Sequence, residues 1–187
     1  MYKLCKTEAA ARRQRQLEHG LLHAMLQKRY DEISISDLCT QMEIPRKSFY
    51  RYFSSKDGAL FALLDHTLLE FEQSTDSNRR IRHATAIGDL ERYFIFWKEH
   101  KDLLEALQRS QLSGMLVERA TTFALQEHLM PRRLLSWSPH YQGLALSFAI
   151  CGLFSMVLQW QQNGFNISPS EMATIASTML TQPLIQP

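Results

Sequence analysis

Residues 34–57 read SISDLCTQMEIPRKSFYRYFSSKD, a pattern of two short helices separated by a tight turn. The Ser-x-x-Asp sequence of Ser34–Asp37 resembles a capping box and predicts the start of the first helix. Pro45 suits the first position of the second helix, Arg46–Tyr52, because its missing N–H costs little there. Another Ser-x-x-Asp, Ser54–Asp57, predicts where the following helix begins.

The segments on either side are also helical. Before the motif, a helix is predicted over 7–28, with an apolar stripe at Leu17, Leu21, Ala24 and Met25. After it, helical patterns cover 60–71, 83–99, 101–109, 112–130, 140–163 and the residues after Ser168. Polar Ser74–Arg80 is the predicted linker. Asn163-Gly164 is typical of a helix end, and Ser168-Pro169-Ser170-Glu171 is typical of a helix start.

The composition supports an all-α fold. The 187 residues include 27 leucines but two valines, and strands favour β-branched residues. Seven glycines and six prolines are too few for the frequent turns of a sandwich or barrel. With 45% hydrophobic and 21% charged residues the chain is globular. We expect an N-terminal three-helix domain with a helix-turn-helix over 1–56 and a helical bundle over 57–187, about nine helices in total.

The charge is unevenly divided between these two parts. Residues 1–56 hold 11 Lys/Arg and 6 Asp/Glu, so their net charge is +5, whereas residues 57–187 carry −3. A basic segment on a mildly acidic body indicates a partner with phosphates. Chance scatter in a basic terminal arm would give the same imbalance.

The second helix of the motif has one apolar and one basic face. At 100° per residue, Phe49, Tyr52 and Phe53 lie to one side and can pack under neighbouring helices. The other side carries Arg46, Lys47, Tyr50 and Arg51. Such a helix can lie in the major groove of DNA, where arginine reads guanine and a tyrosine hydroxyl suits a phosphate. An ordinary solvated charged face has the same periodicity.

The motif resembles the DNA-binding domain of TetR-family transcriptional regulators over about residues 10–65. The resemblance rests on Tyr30–Cys39, Ile44–Phe53 with its Phe-Tyr-Arg-Tyr-Phe run, and Ser55-Lys56-Asp57. Residues 160–171 are also similar to the end of many regulatory domains of that family. The resemblance implies a double-stranded DNA operator as partner. The residues implied in DNA binding are Ser34, Arg46, Lys47, Ser48, Tyr50, Arg51, Tyr52 and Lys56.

The sequence departs from the family pattern at the turn. The usual Ala-Gly is replaced by Met42-Glu43, the usual Ser by Pro45, and Lys47 stands where Gly is common. Glutamate lacks glycine's freedom at positive φ. We therefore expect a turn that is strained or differently shaped.

The resemblance also implies a homodimer whose interface is formed by the last two long helices. Such a dimer would bind a palindromic operator. From Leu134 to Pro187 the only charged residue is Glu171. Small residues recur every four positions there and permit close helix approach. The residues predicted at the interface are Gly143, Ser147, Cys151, Ser155 and Leu158. A buried core helix of one subunit is the alternative.

A small-molecule effector, preferably apolar, is implied as the third partner, because a regulator of this kind is switched by ligand. The pocket is predicted to use Phe94, Trp97, Leu107, Phe123, Trp137 and Phe148. An aromatic stripe is more often a plain core than a binding site. No cofactor and no metal site is predicted, since His19 and His23 have no third ligand nearby in the sequence.

The two alternative functions are those of an all-α enzyme and of a membrane-tethered helical protein. An all-α enzyme is disfavoured because HExxH, GxSxG, P-loop and GxGxxG motifs are absent from the sequence. A membrane-tethered protein could use the apolar run 143–160, which has no Lys or Arg anchors at its flanks. Three distant cysteines and a polar N-terminus favour the cytoplasm. We therefore expect a cytoplasmic repressor that is not an enzyme and does not enter the membrane.

Overall fold

The computed structural model describes residues 2, 3, 5, 7–79, 86–126, 136 and 138–181 of the chain. Nine α-helices and one short 3-10 helix, Tyr30–Glu32, lie in these ranges. The helices are α1 (Glu8–Gln27), α2 (Ile35–Gln41), α3 (Arg46–Tyr50), α4 (Lys56–Arg79), α5 (Ala86–Glu99), α6 (Lys101–Arg109), α7 (Ser113–Gln126), α8 (Pro139–Gln162) and α9 (Pro169–Thr181). The all-α prediction is confirmed.

Most predicted helix boundaries hold within a few residues, and α6 matches its predicted range. The predicted linker Ser74–Arg80 is wrong, since α4 continues unbroken through Arg79. α3 ends at Tyr50, two residues before the predicted end, and Pro45 is its N-cap rather than its first residue. At the start of α4 the capping side chain is Ser55, not Ser54, because Ser55 Oγ accepts the N–H of Gly58 at 3.0 Å.

The chain divides into two compact units. The first unit contains Met1–Thr67 and Asp102–Gly114; the second contains Leu68–Lys101 and Met115–Pro187. These units are defined by contacts within the chain, whereas the predicted domains, 1–56 and 57–187, were defined by function. The functional division stays a prediction.

The first unit has a core of large aliphatic and aromatic side chains. The fully buried members are Leu17, Leu21, Met25, Leu38, Phe49, Phe53, Leu60, Leu64, Leu103 and Leu104. They include Leu17, Leu21 and Met25 of the predicted stripe of α1, and Phe49 and Phe53 of the predicted inner face, whereas Tyr52 is half-buried. Each such side chain contributes roughly 1.5–3 kcal/mol by leaving water, so this core holds α3 firmly in place.

In the second unit, α5 packs along α9. Phe94 and Trp97 of α5 are buried, as are Phe154, Val157 and Trp160 of α8. The start of α9 is fixed by the predicted capping box, in which Ser168 Oγ accepts the N–H of Glu171 and the Glu171 carboxylate accepts the N–H of Ser168.

Three helices end in the same hydrogen-bonded arrangement, the Schellman motif. After α8, Gly164 has φ 69°, and the N–H of Phe165 donates to the carbonyl of Trp160 at 2.9 Å. After α2 and α6 the same left-handed position is taken by Glu43, with φ 53°, and by Gln111, with φ 58°. The predicted end of α8 at Asn163-Gly164 is confirmed.

Candidate nucleic-acid interface

The short helix α3 presents a basic surface because Phe49 within it and Phe53 just after it fix its orientation. Phe49 and Phe53 are both 0% exposed, and their ring centroids are 5.3 Å apart. Arg46, Lys47 and Arg51 are exposed on the other side. Tyr50 is 42% exposed beside them. Four of the eight predicted DNA-binding side chains thus share one outward face.

Ser48 and Tyr52 are less accessible than these four. Both are half-buried. The N–H of Ser48 donates to the carbonyl of Pro45 at 2.8 Å and forms the first turn of α3. The N–H of Tyr52 donates to Phe49, and its carbonyl accepts the N–H of Lys3 at 3.1 Å. Their contacts with DNA stay a prediction.

The turn between α2 and α3 keeps the left-handed conformation that normally requires glycine. Glu43 has φ 53°, its N–H donates to Thr40 at 3.1 Å, and the N–H of Ile44 donates to Cys39 at 2.9 Å. The predicted strain is therefore confirmed in the backbone torsion of Glu43. The turn is not differently shaped, because both hydrogen bonds of the Schellman motif form.

Ser34 caps α2, as predicted. Its Oγ accepts the N–H of Asp37 at 3.0 Å, and its own N–H donates to the Asp37 carboxylate at 3.3 Å. These hydrogen bonds from the side chain and backbone of Ser34 hold the pKa of Asp37 below its ordinary value. Ser34 is exposed, and its predicted contact with phosphate is untested by this geometry.

Lys56 is engaged inside the protein. Its Nζ donates to the carbonyl of Tyr30 at 2.5 Å and to that of Ile33 at 2.6 Å, and it lies 4.2 Å from the centroid of the Tyr30 ring. Burial lowers the pKa of Lys56. Lys56 therefore binds carbonyl groups at both ends of the 3-10 helix, a role that the sequence did not predict. Binding of phosphate by Lys56 stays a prediction that must compete with these contacts.

Tyr30 is held from two further sides. Its hydroxyl donates to the carboxylate of Asp57 at 2.6 Å, and its N–H donates to Ser110 Oγ at 3.0 Å. Burial, together with the Asp57 carboxylate, raises the pKa of the Tyr30 hydroxyl. In addition, Arg109 Nη1 donates to the carbonyl of Leu26 at 2.7 Å. The end of α6 thus fixes the junction between α1 and the 3-10 helix within the first unit.

The backbone pairing of Tyr2 was not predicted from the sequence. Tyr2 pairs with Phe53 in an isolated antiparallel bridge next to the C-terminal end of α3. Two residues are too few for a periodic signal, so the pairing could not be predicted from the sequence.

The aromatic side chains predicted to line an effector pocket do not all meet. Phe94 and Trp97 pack against Trp160 and Phe154, with ring centroids 5.8 and 4.9 Å apart. Within the described residues the Trp97 indole N–H is buried without a hydrogen-bond partner. Because these rings are in direct contact, this cluster is a packed core as it stands.

Three of the other four predicted pocket residues belong to the described part of the chain. Phe123 is half-buried on α7, and Leu107 is buried in the first unit. Trp137 lies outside the described residues. Phe148 is 72% exposed, so its predicted place inside a pocket is wrong. α8 is apolar on all sides, and the sequence therefore gave no indication of which side faces the core.

The exposed side of α8 is an apolar surface, which we call the α8 face. Its large members are Tyr141, Leu144 and Phe148, with exposures of 59%, 57% and 72%. Among the predicted interface residues, Cys151 and Ser155 are exposed, and Gly143, Ser147 and Leu158 are half-buried. By length and composition, α8 is the one helix in the described ranges that could cross a membrane, although core helices pass the same criterion. Only 22% of its most apolar window is buried.

A metal centre finds no support in the described ranges. They contain no group of three or more His, Cys, Asp or Glu residues suited to a metal ion. His23 lies beside α2 instead, with its Nδ1 atom 2.9 Å from the Gln41 amide nitrogen.

Comparison with known proteins gave matches to solved structures. No family model matches the chain, and no curated protein does. The fatty acid degradation regulator FadR from Bacillus halodurans is similar, with a TM-score of 0.63 and 13% identity, over 97% of this chain and 98% of that one. FadR from Bacillus subtilis, solved with stearoyl-CoA, has a TM-score of 0.59 and 16% identity, over 90% and 97%.

A tetR-family transcriptional regulator from Streptomyces coelicolor is similar as well. Its TM-score is 0.54 with 22% identity, over 91% of this chain and 79% of that one. The chain has the fold of the TetR-family regulators. The two short helices predicted from the sequence are α2 and α3, and all eight predicted DNA-binding residues lie within the first unit.

Proposed function

We propose that this protein is a transcriptional regulator that binds a specific DNA sequence and responds to a small molecule. The observation that carries the proposal is the exposed row of Arg46, Lys47, Tyr50 and Arg51 above the fully buried Phe49 and Phe53. A basic helix held rigidly at a protein surface is suited to the major groove. The likeness in fold to solved regulators supports the same conclusion.

The proposed contacts divide by chemistry. Arg46 and Arg51 have the planar, bidentate donor geometry that recognises guanine edges. Lys47 and Tyr50 suit phosphate oxygens, which position the helix without reading sequence. Ser34, at the N-terminus of α2, and Ser48 and Tyr52 extend the phosphate contacts on either side.

We propose that the regulator is a homodimer joined through the α8 face together with the exposed side of α9, which carries Ile175 and Met179. α8 has 24 residues and α9 has 13. At 1.5 Å per residue and ~10 Å width, two such helices present roughly 560 Å². That area is of the order of the ~800 Å² per partner found in stable interfaces. The face is uncharged between residues 139 and 162, so a second identical face meets it without repulsion.

A two-fold dimer implies a palindromic operator. Two copies of α3 would lie about one DNA turn apart, ~34–36 Å, and read the two half-sites in the same way. A second copy also covers the apolar helix without a membrane. We therefore place the dimer in the cytoplasm.

The proposed effector is a molecule with a long apolar part. The second unit supplies an aromatic interior at Phe94 and Trp97, and a structure of similar fold was solved with stearoyl-CoA. Phe123 and Trp137 are the remaining proposed contacts. The effector would act by binding better to a form in which the two recognition helices no longer match the operator spacing, which releases a repressor.

The test of this proposal is selection of bound sequences from a random pool of duplex DNA. We expect enrichment of a palindrome. Replacing Arg46 or Arg51 with Ala should weaken binding to the enriched site by ~1–3 kcal/mol, a factor of about 5–150. Lys101→Ala, on exposed α6 surface, is the control and should bind as the wild type does. Absence of any enriched sequence, or equal binding by all variants, would refute the proposal.

A further inference from the structure

The backbone of the N-terminal segment, by which we mean Tyr2, Lys3 and Cys5, pairs with the residues that follow α3. The N–H of Lys3 donates to the carbonyl of Tyr52 at 3.1 Å, and Tyr2 forms the adjacent bridge to Phe53. Lys3 therefore lies directly beside the C-terminal end of α3, although 43 positions separate it from Arg46 in the sequence.

A buried glutamine of α1 fixes the other side of this segment. Gln14 is 2% exposed, and its Nε2 donates to the carbonyl of Lys3 at 3.2 Å. Its Oε1 accepts from Cys5 Sγ at 2.9 Å. Both polar atoms of a buried amide are thus satisfied by the segment, which is a strong reason for the segment to stay in place.

Tyr2 ties the segment to α4 as well. Its hydroxyl donates to the Asp65 carboxylate at 2.8 Å, and its ring meets the edge of His66 at a centroid distance of 5.8 Å. His66 in turn pairs with Glu18 of α1, which is 1% exposed, at 2.9 Å. The segment is therefore held by α1, by α4 and by the end of α3 at once.

Successive side chains of an extended segment point to opposite sides. Since the Tyr2 ring is directed onto α4, the Lys3 side chain projects away from it, and Lys3 is exposed. Lys3 makes no ion pair with the part of the chain that the structure describes. An exposed lysine is thus anchored by its backbone to Tyr52, which directly follows the exposed Tyr50 and Arg51 in the chain.

We propose that Lys3 binds a DNA phosphate at the edge of the site read by α3. The proposal rests on the proposed DNA-binding function. Because the backbone of Lys3 is hydrogen-bonded on both sides before DNA arrives, little ordering is required on binding. Lys3 would act on all sequences alike, since phosphate contacts carry no base information.

The test measures the salt dependence of binding to a duplex of arbitrary sequence, which needs no knowledge of the operator. Fluorescence anisotropy between ~50 and ~200 mM salt gives the slope of log K against log salt. Lys3→Ala should lower the magnitude of that slope by ~0.9 per protomer. Lys3→Arg should restore it. Lys101→Ala removes the same charge from another exposed position and should leave the slope unchanged.

The outcomes separate the two proposals. If Lys3→Ala and Lys101→Ala have the wild-type slope while Arg51→Ala still loses the selected site, the role of Lys3 is refuted and the regulator stands. If the wild type binds neither the arbitrary duplex nor any selected site, both proposals fail. Restoration by Lys3→Arg but not by Lys3→Gln would show that the charge, rather than the length of the side chain, is what counts.

Discussion

The ammonium group of Lys56 lies 2.6 Å from the carbonyl oxygen of Ile33, 23 positions earlier in the chain. It is hydrogen-bonded to Tyr30 in the same way. These bonds join the start of α4 to the segment between α1 and α2, so Lys56 supports the arrangement of these helices.

Lys56→Met should destabilise the folded protein by ~1–3 kcal/mol, because a charged donor to two carbonyls is lost. Urea denaturation at fixed protein concentration measures this. Lys47→Met, on the exposed side of α3, is the matched control: it should weaken DNA binding and leave the denaturation midpoint unchanged. A Lys56→Met protein as stable as the wild type would mean that the carbonyl contacts contribute nothing.

Glu43→Gly should stabilise the protein by ~0.5–1 kcal/mol. Glycine removes the left-handed strain at φ 53°, which costs ~1–2 kcal/mol, and part of this gain is offset by its greater freedom when unfolded. Glu43→Ala keeps a Cβ and should give no such gain. Equal midpoints for the glycine and alanine variants would show that the torsion is not strained.

Gly20 and Met42 should be energetically coupled. A Cβ on Gly20 would overlap the sulfur of Met42. In the wild type, Gly20→Ala should therefore be neutral or destabilising. In a Met42→Ala background it should stabilise by up to ~1 kcal/mol, because alanine is the better helix former. Denaturation of the four proteins gives the coupling energy, and additivity within ~0.3–0.5 kcal/mol would contradict it.

The capping box of α2 should make stability depend on pH. The pKa of Asp37 is held low in the folded state, so its contribution is complete above the pKa that it has when unfolded and is lost as the pH falls through its folded pKa. The wild type should exceed Asp37→Asn in stability at neutral pH, and the difference should vanish in acid. Denaturation midpoints at a series of pH values test this. In a Ser34→Ala background, which loses the side-chain contribution to the shift but keeps the backbone N–H of residue 34, the difference should depend less on pH.

Phe148→Asp should dissociate the proposed dimer. A carboxylate at the centre of the α8 face would be buried without a partner, and loss of an aromatic contact there should raise the dimer Kd at least ~30-fold. Sedimentation velocity measures the change. Leu125→Asp, at another exposed apolar position with 43% exposure, should remain dimeric. A wild type that is monomeric, or that needs detergent to stay in solution, would refute the dimer.

Local signals explain how much of this fold the sequence predicted. Capping boxes at Ser34 and Ser168 and the glycine after α8 are short-range hydrogen-bonding patterns, and each was confirmed. The burial of Phe49 and Phe53 followed from helical periodicity, since they are four positions apart and fall on the side opposite Arg46, Lys47 and Arg51.

Long-range contacts explain what was missed. The hydrogen bonds of Lys56 and the pairing of Tyr2 join residues 23 or more positions apart, which no periodic pattern reveals. The stretch Ser74–Arg80 is polar throughout and so resembles a linker, although α4 continues through Arg79, the last of these residues that the structure describes. The exposure of Phe148 depends on the side of α8 that faces the core, and a uniformly apolar helix contains no information on this point.

Glu43, Gln111 and Gly164 follow the ends of three helices and share a left-handed φ, although they are three different residue types. Alignment by residue identity scores the first two as mismatches to glycine, whereas alignment by backbone angle superposes all three. A helix-turn-helix can thus lose the residue types usual at its turn and keep its backbone conformation. Each such substitution costs a modest amount of folding free energy. Distant members of such a fold are better sought by their torsions than by their residues.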